Sequence, residues 1–262
     1  MKSIVQKASN HKMLPPTQRF SNRVENYIKY RPGYPAAIID LLKTDCQLTQ
    51  TSIIADAGSG TGLLSKLFLD NGNKVFGIEP NNEMRAAGEM LLKDYPNFIS
   101  INATAEATTL ADDSVDFVSA GQAFHWFKTR LARQEFGRIL KPQGWIVLVW
   151  NERQREAPFL AAYEQMLERH SPEYKTVSHT RIEESELAEL MGTGLRRAMF
   201  DNEQVLDYEG VKGRLLSSSY APLEGQAGHR AMIRELQEIY EKYQERGRVR
   251  FKYQTKVYYS QV

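Results

Sequence analysis

The segment Asp56–Gly62, which reads DAGSGTG, is rich in glycine and lies between two apolar runs. It follows TSIIADA, which predicts a short strand, and precedes LLSKLFLDNG, which has helical spacing. Glycine accepts positive φ angles without strain, so such a turn lets the backbone approach a ligand closely. Glu79 ends the next apolar run, KVFGIE, and its two carboxylate oxygens suit the two hydroxyls of a ribose. These features predict a site for a nucleoside-containing ligand.

Three kinds of nucleotide ligand compete for this loop. A phosphate-binding P-loop needs Gly-Lys-Ser/Thr, whereas Gly62 is followed by Leu-Leu-Ser. A dinucleotide fingerprint needs a third glycine where this chain has Leu63. The third candidate is S-adenosylmethionine, which has no pyrophosphate and carries an ammonium and a sulfonium that Asp56 would complement. The alternative that the glycines only form a tight turn, with both acids as helix caps, stays open.

The order of elements indicates where these residues meet. Strand and helix patterns alternate from residue 37 to residue 150, which is typical of a parallel sheet with helices on both faces. Ligands of such sheets bind beyond the carboxyl ends of the strands. The segments expected there are Asp56–Gly62, Glu79–Asn81, Ala103–Glu106, Gly121–Phe127 and Asn151–Arg153.

The rest of the chain is less regular. We expect residues 1–20 to be a poorly ordered lead-in and residues 21–262 to form a single domain. Residues 151–204 read as a partly helical insertion that covers the acceptor site jointly with residues 27–34. Basic and apolar residues alternate in the closing segment RVRFKYQTKVYYS, which predicts a half-exposed strand.

Composition restricts the class of protein. Of 262 residues, 42% are hydrophobic and 25% are charged, which is typical of a globular domain, and the formal net charge is +2. This balance argues against a dedicated nucleic-acid or anionic-membrane binder. The basic residues of the last strand predict a solvated edge face rather than an RNA surface. The single cysteine excludes an intrachain disulfide and favours a reducing cytoplasm, and we expect no metal site and no membrane-spanning segment.

Four motifs carry a resemblance to a known family: ADAGSGTG, GIEPNNEM, ATAEATTLADDSVDFV and GQAFHWF, preceded by YIKYRPGYP. From Ile53 to Trp150 the chain resembles the class I S-adenosylmethionine-dependent methyltransferases, particularly the type-11 small-molecule group that includes trans-aconitate methyltransferase-like proteins. The resemblance implies a Rossmann-like, seven-stranded, mostly parallel sheet with helices on both faces. It also implies an antiparallel C-terminal strand and a helical insertion after strand five.

The resemblance also implies a set of cofactor contacts. The glycine loop would line the methionine end, Glu79 the ribose, and Met84 the adenine. Met84 as a core residue and Glu106 as a helix cap are the alternatives. The expected cofactor residues are Asp56, Gly58, Ser59, Gly60, Glu79, Pro80, Met84, Thr104, Ala105, Glu106 and Gln122.

The acceptor side is expected around the run Gln122–Phe127. Aromatic rings exclude water and face a cation favourably. His125 is a candidate catalytic residue that would deprotonate the acceptor or only hydrogen-bond it, with a structural histidine as the alternative. Arg31 would pair with a carboxylate of the cofactor or of an acidic substrate, unless it is a surface residue. The expected substrate residues are Tyr27, Arg31, His125, Trp126 and Arg153.

These expectations converge on one activity and several alternatives. The chain is expected to transfer a methyl group from S-adenosylmethionine to a small molecule by in-line displacement, leaving S-adenosylhomocysteine. The two arginines favour an acceptor that bears a carboxylate. A non-catalytic cofactor-binding module and an RNA or protein methyltransferase are the alternatives, and the glycine spacing argues against a nicotinamide-dependent reductase. The acceptor atom and the oligomeric state stay open.

Overall fold

A computed structural model describes residues 23–171, 174 and 183–262, and the structural statements below concern these residues. The lead-in expected at residues 1–20 lies outside them. In the part that the structure describes, no helix combines the length and the apolar character needed to span a membrane.

One sheet of seven strands organises the chain. Its strands are β1 Ile53–Ala57, β2 Lys74–Ile78, β3 Phe98–Ile101, β4 Val115–Gly121, β5 Leu140–Arg153, β6 Arg196–Leu206 and β7 Val249–Gln261. Their order is β3-β2-β1-β4-β5-β7-β6. Strands β1 to β5 pair in parallel, and β7 is antiparallel to both β5 and β6. The expected mostly parallel sheet with an antiparallel C-terminal strand is confirmed.

Helices lie against both faces and beyond the last strands. They are α1 Val24–Tyr30, α2 Ala37–Cys46, α3 Leu63–Asp70, α4 Asn82–Leu91, α5 Thr129–Ile139, α6 Pro158–His170, α7 Glu184–Met191, α8 Tyr208–Leu216 and α9 His229–Tyr243. Helices α2 and α3 pack in one apolar core of the sheet, and α5 and α7 pack in another. Helices α6, α8 and α9 form a third core with the start of β7.

Strand β5 is longer than its sequence pattern predicts. The apolar run ends at Trp150, but β5 continues to Arg153 because β7 pairs with it as far as Tyr253. Successive side chains of a strand point to opposite faces, so Trp150 and Arg153 face different sides of the sheet. Residues 151–153 therefore belong to the strand and do not form a loop beyond its end.

Strand β7 alternates as expected but is not an edge strand. Phe251 and Tyr253 are buried, whereas Arg250 and Lys252 are exposed. The edge beyond β7 is covered by β6. Arg250 forms an ion pair with Glu203 on β6. Some of the basic charge of β7 is thus neutralised by its neighbours, which fits a solvated face.

Helix α1 docks on helix α8, and neither helix was predicted from the sequence. Gly213 of α8 lies directly under the ring of Tyr30, where a Cβ atom would come within 2.0 Å of Cε2. The guanidinium of Arg23, before α1, donates to the main-chain oxygens of Leu216, Ser218 and Ala221. These contacts fix α1 against the segment that follows α8.

We predict that Gly213→Ala loosens the docking of α1. The added methyl overlaps an aromatic ring, and such overpacking typically costs about 1–3 kcal/mol. Hydrogen exchange should become faster in residues 24–31, and urea unfolding should show lower stability. Gly137→Ala is the matched control, because Gly137 lies exposed in α5 with no atom within 4 Å of the added Cβ. Equal effects in both variants would contradict the docking account.

Candidate active site

A cavity of about 360 Å³ opens where the strand order reverses between β1 and β4. This is the crevice in which open α/β sheets bind ligands. Loops from the ends of β1 to β5 form its floor and walls, and residues after α1 and α8 cover it. Its lining comprises Tyr27, Arg31, Gly58, Gly60, Glu79, Pro80, Asn81, Met84, Thr104, Ala105, Glu106, Gly121, Gln122, Ala123, His125, Trp126, Phe127, Lys128, Trp150, Ser219 and Tyr220.

The glycine loop needs its glycines for two physical reasons. Gly58 and Gly60 have φ angles of 65° and 58°, in the left-handed region that side chains disfavour. A Cβ on Gly58 would lie 2.6 Å from Cβ of Ala123, and one on Gly60 would lie 3.3 Å from Cε of Met84. The loop is therefore packed tightly on both flanks and presents main chain to the cavity.

Glu79 ties the glycine loop to the start of α4. Its Oε2 accepts a hydrogen bond from the Gly60 amide at 2.9 Å, and its Oε1 accepts one from the Asn81 amide at 2.8 Å. Burial raises the pKa of this carboxyl group, and the two amides oppose that shift. Each oxygen keeps a further lone pair for a ligand hydroxyl. Asn81 in turn caps α4 by accepting from the Met84 amide at 2.9 Å.

We predict that Glu79→Gln weakens nucleoside binding while the fold persists. The amide has only one acceptor oxygen, so it cannot hold both main-chain amides and two hydroxyls. Losing charge-assisted bonds should weaken S-adenosylhomocysteine binding by about 1.5–3 kcal/mol in calorimetry. Glu83→Gln, an exposed change in the first turn of α4, is the control. Unchanged affinity in Glu79→Gln would place the hydroxyl site elsewhere.

Asp56 does not line the cavity, which corrects its expected role as a direct ligand contact. It lies in β1 with a fully buried side chain, and it accepts hydrogen bonds from Ser65 Oγ at 2.6 Å and Ser119 Oγ at 3.1 Å. Burial, opposed by these hydroxyls, raises the pKa of its carboxyl group to about 7. Ser59 likewise is not on the lining, although its amide is held by the Ile78 carbonyl at 3.1 Å.

We predict that Asp56→Asn stabilises the ligand-free protein increasingly as pH rises. The carboxyl group has a pKa of about 7 when folded, against about 3.9 when unfolded. Between these values the folded state holds a proton that the unfolded state has released, so the parent loses stability as pH rises through this window. Urea unfolding should show the variant gaining about 2–4 kcal/mol on the parent between about pH 4 and about pH 8. Asp94→Asn, on the exposed surface, should show no such trend, and a pH-independent difference for Asp56→Asn would contradict the burial argument.

Another part of the lining is formed by Met84, which packs beside Gly60, and by the segment Thr104–Glu106. Met84 is almost fully buried in the apolar part of this lining. The Glu106 carboxylate accepts from the amide of Lys128, the residue just before α5, at 2.8 Å, so it joins two segments of the cavity lining. Lys128 was not singled out from the sequence.

The run Gln122–Phe127 is divided between cavity and core. Phe124 is buried in the core, whereas His125 and Trp126 line the cavity. The His125 ring lies 4.4 Å from the Trp126 ring and 5.3 Å from that of Trp150, measured between centroids. Gln122 exchanges 3.2 Å hydrogen bonds with the main chain of Asn151, which fixes this turn to β5.

Arg31 and Tyr27 lie over the cavity. The Arg31 guanidinium lies 4.7 Å from the Tyr27 ring centroid and donates to the Ser217 carbonyl at 3.0 Å. Its Nε is buried without a hydrogen-bond partner among the described residues. Burial and the charge of Arg214 lower the pKa of Arg31. The alternative of a surface arginine therefore fails.

Arg153 does not line the cavity, because it points away from the face that carries Trp150. Its guanidinium forms an ion pair with Glu164 and donates to the Tyr174 hydroxyl at 2.9 Å. The expected cover over the acceptor also needs correction. None of the described residues of 151–204 lies on the cavity lining, since α6 packs in the third core and α7 packs beside α5.

Four lining residues were missed by the sequence reasoning: Lys128, Trp150, Ser219 and Tyr220. Trp150 ends the apolar run of β5, and its position at a strand end was an available signal. Ser219 and Tyr220 follow α8 and reach the cavity only through the docking of α1 on α8. Within the described residues, no group of three His, Cys, Asp or Glu side chains is placed to hold a metal ion.

Residues 55–148 match the family model described as a methyltransferase domain. This segment of the chain is similar to that family. It is 33% identical over 151 residues to an uncharacterised methyltransferase of Schizosaccharomyces pombe, covering 57% of this chain and 59% of that protein. It is 35% identical over 134 residues to one of Mycobacterium tuberculosis, covering 51% of this chain and 52% of that protein. The matches thus span little more than half the length of these relatives.

Solved structures share the fold over most of the chain. A protein of Anaeromyxobacter dehalogenans described as a type II methyltransferase has a TM-score of 0.65 at 19% identity, covering 88% of this chain and 98% of that one. An S-adenosylmethionine-dependent methyltransferase of Geobacter sulfurreducens, solved with S-adenosylhomocysteine, has a TM-score of 0.54 at 17% identity. That match covers 94% of this chain and 98% of that one. The fold is that of S-adenosylmethionine-dependent methyltransferases.

Proposed function

We propose that the protein transfers a methyl group from S-adenosylmethionine to a small-molecule acceptor. The observation that carries the proposal is the pairing of a glycine loop, which presents main chain to the cavity, with Glu79, whose oxygens face the same space. Fold alone would not support an activity. The glycine loop lets a compact part of a ligand approach the main chain closely. Beside it, the two Glu79 oxygens can accept hydrogen bonds from two adjacent hydroxyls.

The lining fits the proposed cofactor part by part. Gly58 and Gly60 would hold the methionine end and Glu79 the ribose, while Met84 and Ala105 offer an apolar wall for the adenine. When bound, the cofactor supplies a methyl group attached to a positively charged sulfur. Asp56, one layer behind the loop, would favour that charge from beneath. The pKa of the Asp56 carboxyl group is raised, so a cation bound nearby would favour loss of its proton. The resulting carboxylate would then attract the cation.

The remaining lining would align the acceptor and exclude water. In-line displacement depends on alignment of donor and acceptor more than on acid or base groups. The rings of Tyr27, Trp126 and Trp150 supply apolar surface that suits a cation. The Arg31 guanidinium is partly buried, and no carboxylate of the described residues contacts it. A carboxylate on the cofactor or the acceptor would compensate that charge, and we extend the proposal to carboxylate-bearing acceptors.

Calorimetry tests the cofactor directly. The purified protein should bind S-adenosylmethionine and S-adenosylhomocysteine saturably and give no heat with NAD. Saturable NAD binding without binding of either sulfur ligand would overturn the proposal. Conversion to S-adenosylhomocysteine in the presence of small acids would separate an enzyme from a non-catalytic binding module.

We predict that His125→Ala lowers turnover without lowering the affinity for the cofactor. His125 lies beside Trp126 and Trp150 in the turn after β4, whereas Glu79 follows β2. A loss below ~10²-fold indicates alignment of the acceptor, whereas ~10²–10⁴-fold with a changed pH profile indicates a base. Circular dichroism controls for folding. Unchanged turnover in a folded variant would remove His125 from the site.

The expected cytoplasmic location stays a prediction, as does the exclusion of nucleic acid as a substrate. The cavity volume of about 360 Å³ suits a small acceptor. The oligomeric state stays open.

A further inference from the structure

A short turn after α8 carries two of the residues that line the cavity. The amide of Ala221 donates to the carbonyl of Ser218 at 3.1 Å, so residues 218–221 form a four-residue turn. Its two central residues are Ser219 and Tyr220, and both lie on the cavity lining. The position of this turn therefore decides where two hydroxyl-bearing side chains stand on the wall of the cavity.

One guanidinium group holds both ends of this turn. Arg23 Nη1 donates to the Ser218 carbonyl at 2.5 Å, and Nη2 donates to the Ala221 carbonyl at 2.7 Å. Nη1 also donates to the carbonyl of Leu216, the last residue of α8, at 3.0 Å. The planar fork of a guanidinium fixes the separation of two acceptors, which a point charge on a flexible stem does not. Arg23 is only 6% exposed, so water competes little for these bonds.

A second arginine joins the same segment to the cavity. Arg31 donates to the carbonyl of Ser217, directly before the turn, at 3.0 Å, and Arg31 itself lies on the cavity lining. Arg23 precedes α1 and Arg31 follows it, so guanidinium groups at both ends of one helix hold neighbouring carbonyl groups after α8. Carbonyl groups at the end of a helix lack partners within it, which makes them available to these donors. Helix α1 and the turn are thereby fixed to each other.

The turn and the proposed cofactor residues belong to different parts of the lining. Gly60 follows β1, Glu79 follows β2 and Met84 lies in α4, whereas the turn follows α8. Among the residues that the structure describes, Arg23 is not part of the lining, although the turn that it holds is. A displacement of the turn would therefore alter the acceptor side of the cavity and leave the cofactor side in place.

We propose that Arg23 is a positioning residue for the methyl acceptor: it sets the turn of residues 218–221 and, through it, the wall that selects which acceptors fit. The inference rests on the proposed function and adds to it a residue that determines specificity without touching the acceptor. Ser219 and Tyr220 meet the acceptor directly, since their hydroxyl groups can donate and accept hydrogen bonds. Arg31, held by the same segment, pairs with a carboxylate on that acceptor.

Thiol labelling tests the position of the turn without any substrate. Ser219→Cys places a thiol on the cavity wall. The single natural cysteine, Cys46, gives little background, because it is buried and burial raises the pKa of its thiol to about 12. Adding Arg23→Met should speed the reaction with iodoacetamide by about tenfold or more, because charge-assisted hydrogen bonds that hold the turn are lost. Measuring the rate over a range of pH separates a change in access from a change in the pKa of the new thiol.

Two further variants make the labelling result specific. Arg23→Lys keeps the charge but not the fork, so its labelling rate should lie between those of Arg23→Met and the parent. Arg138→Met is the matched control, because Arg138 also holds a main-chain oxygen, that of Leu110 at 2.8 Å, but on α5. It should leave the labelling rate unchanged. Equal acceleration with Arg138→Met, or none with either Arg23 variant in a protein that circular dichroism shows to be folded, would overturn the inference.

Turnover separates positioning from a merely structural role. With S-adenosylmethionine and a panel of small aliphatic and aromatic carboxylic acids, Arg23→Met should raise the KM for the acids more than it lowers kcat, and should change their order of preference. Arg23→Lys should restore part of that order. The affinity for S-adenosylhomocysteine in calorimetry should stay that of the parent.

The two ways of failing are distinguishable. If Arg23→Met loses S-adenosylhomocysteine binding in parallel with turnover and keeps the order of acids, the role of Arg23 is merely structural and the inference is overturned. If the parent protein does not bind S-adenosylhomocysteine, the proposed function is overturned instead. The labelling experiment reports on the turn in either case, since it depends on neither ligand.

Discussion

The hydrogen bonds from the Gly60 and Asn81 amides to the Glu79 carboxylate hold the cavity together. They join the turn after β1 to the start of α4, so the ends of two neighbouring strands are fixed relative to each other before any ligand arrives. The close packing of Gly58 on Ala123 extends the same constraint to the turn after β4. Because Glu79 both holds the glycine loop and faces the ligand, ligand binding and the order of the loop depend on each other.

Acidic and basic groups of the site belong to different elements. Glu79 is hydrogen-bonded to the glycine loop and Asp56 ends β1 before it, whereas Arg31 and Arg214 contact the segment that follows α8. A ligand with a cationic centre and an anionic group would be held in one orientation by this arrangement. Burial raises the pKa of Asp56, whereas the guanidinium groups of Arg153, Arg214 and Arg31 lower the pKa of Tyr220.

The sequence predicted those parts of the site that lie in turns directly after strands. The glycine loop, Glu79, Met84 and the turn Gln122–Phe127 follow apolar runs, and a parallel sheet necessarily brings such turns to one edge. Side-chain direction was less predictable, since it depends on where each strand ends. Asp56 proved to be a strand residue that points beneath the loop, and Arg153 proved to lie within β5 on the face opposite Trp150. Tyr220 could not be found, because it reaches the cavity only when α1 and α8 pack together.

The central claim is that the floor of the cavity is formed in advance and that its cover responds to the ligand. Hydrogen exchange with and without S-adenosylhomocysteine measures both at once. The Gly60 and Asn81 amides should exchange slowly in the free protein, because Glu79 already holds them, and residues 24–31 and 217–221 should gain protection on binding. Rapid exchange of the Gly60 and Asn81 amides in the free protein would contradict the account. So would exchange in residues 24–31 and 217–221 that is the same with and without the ligand.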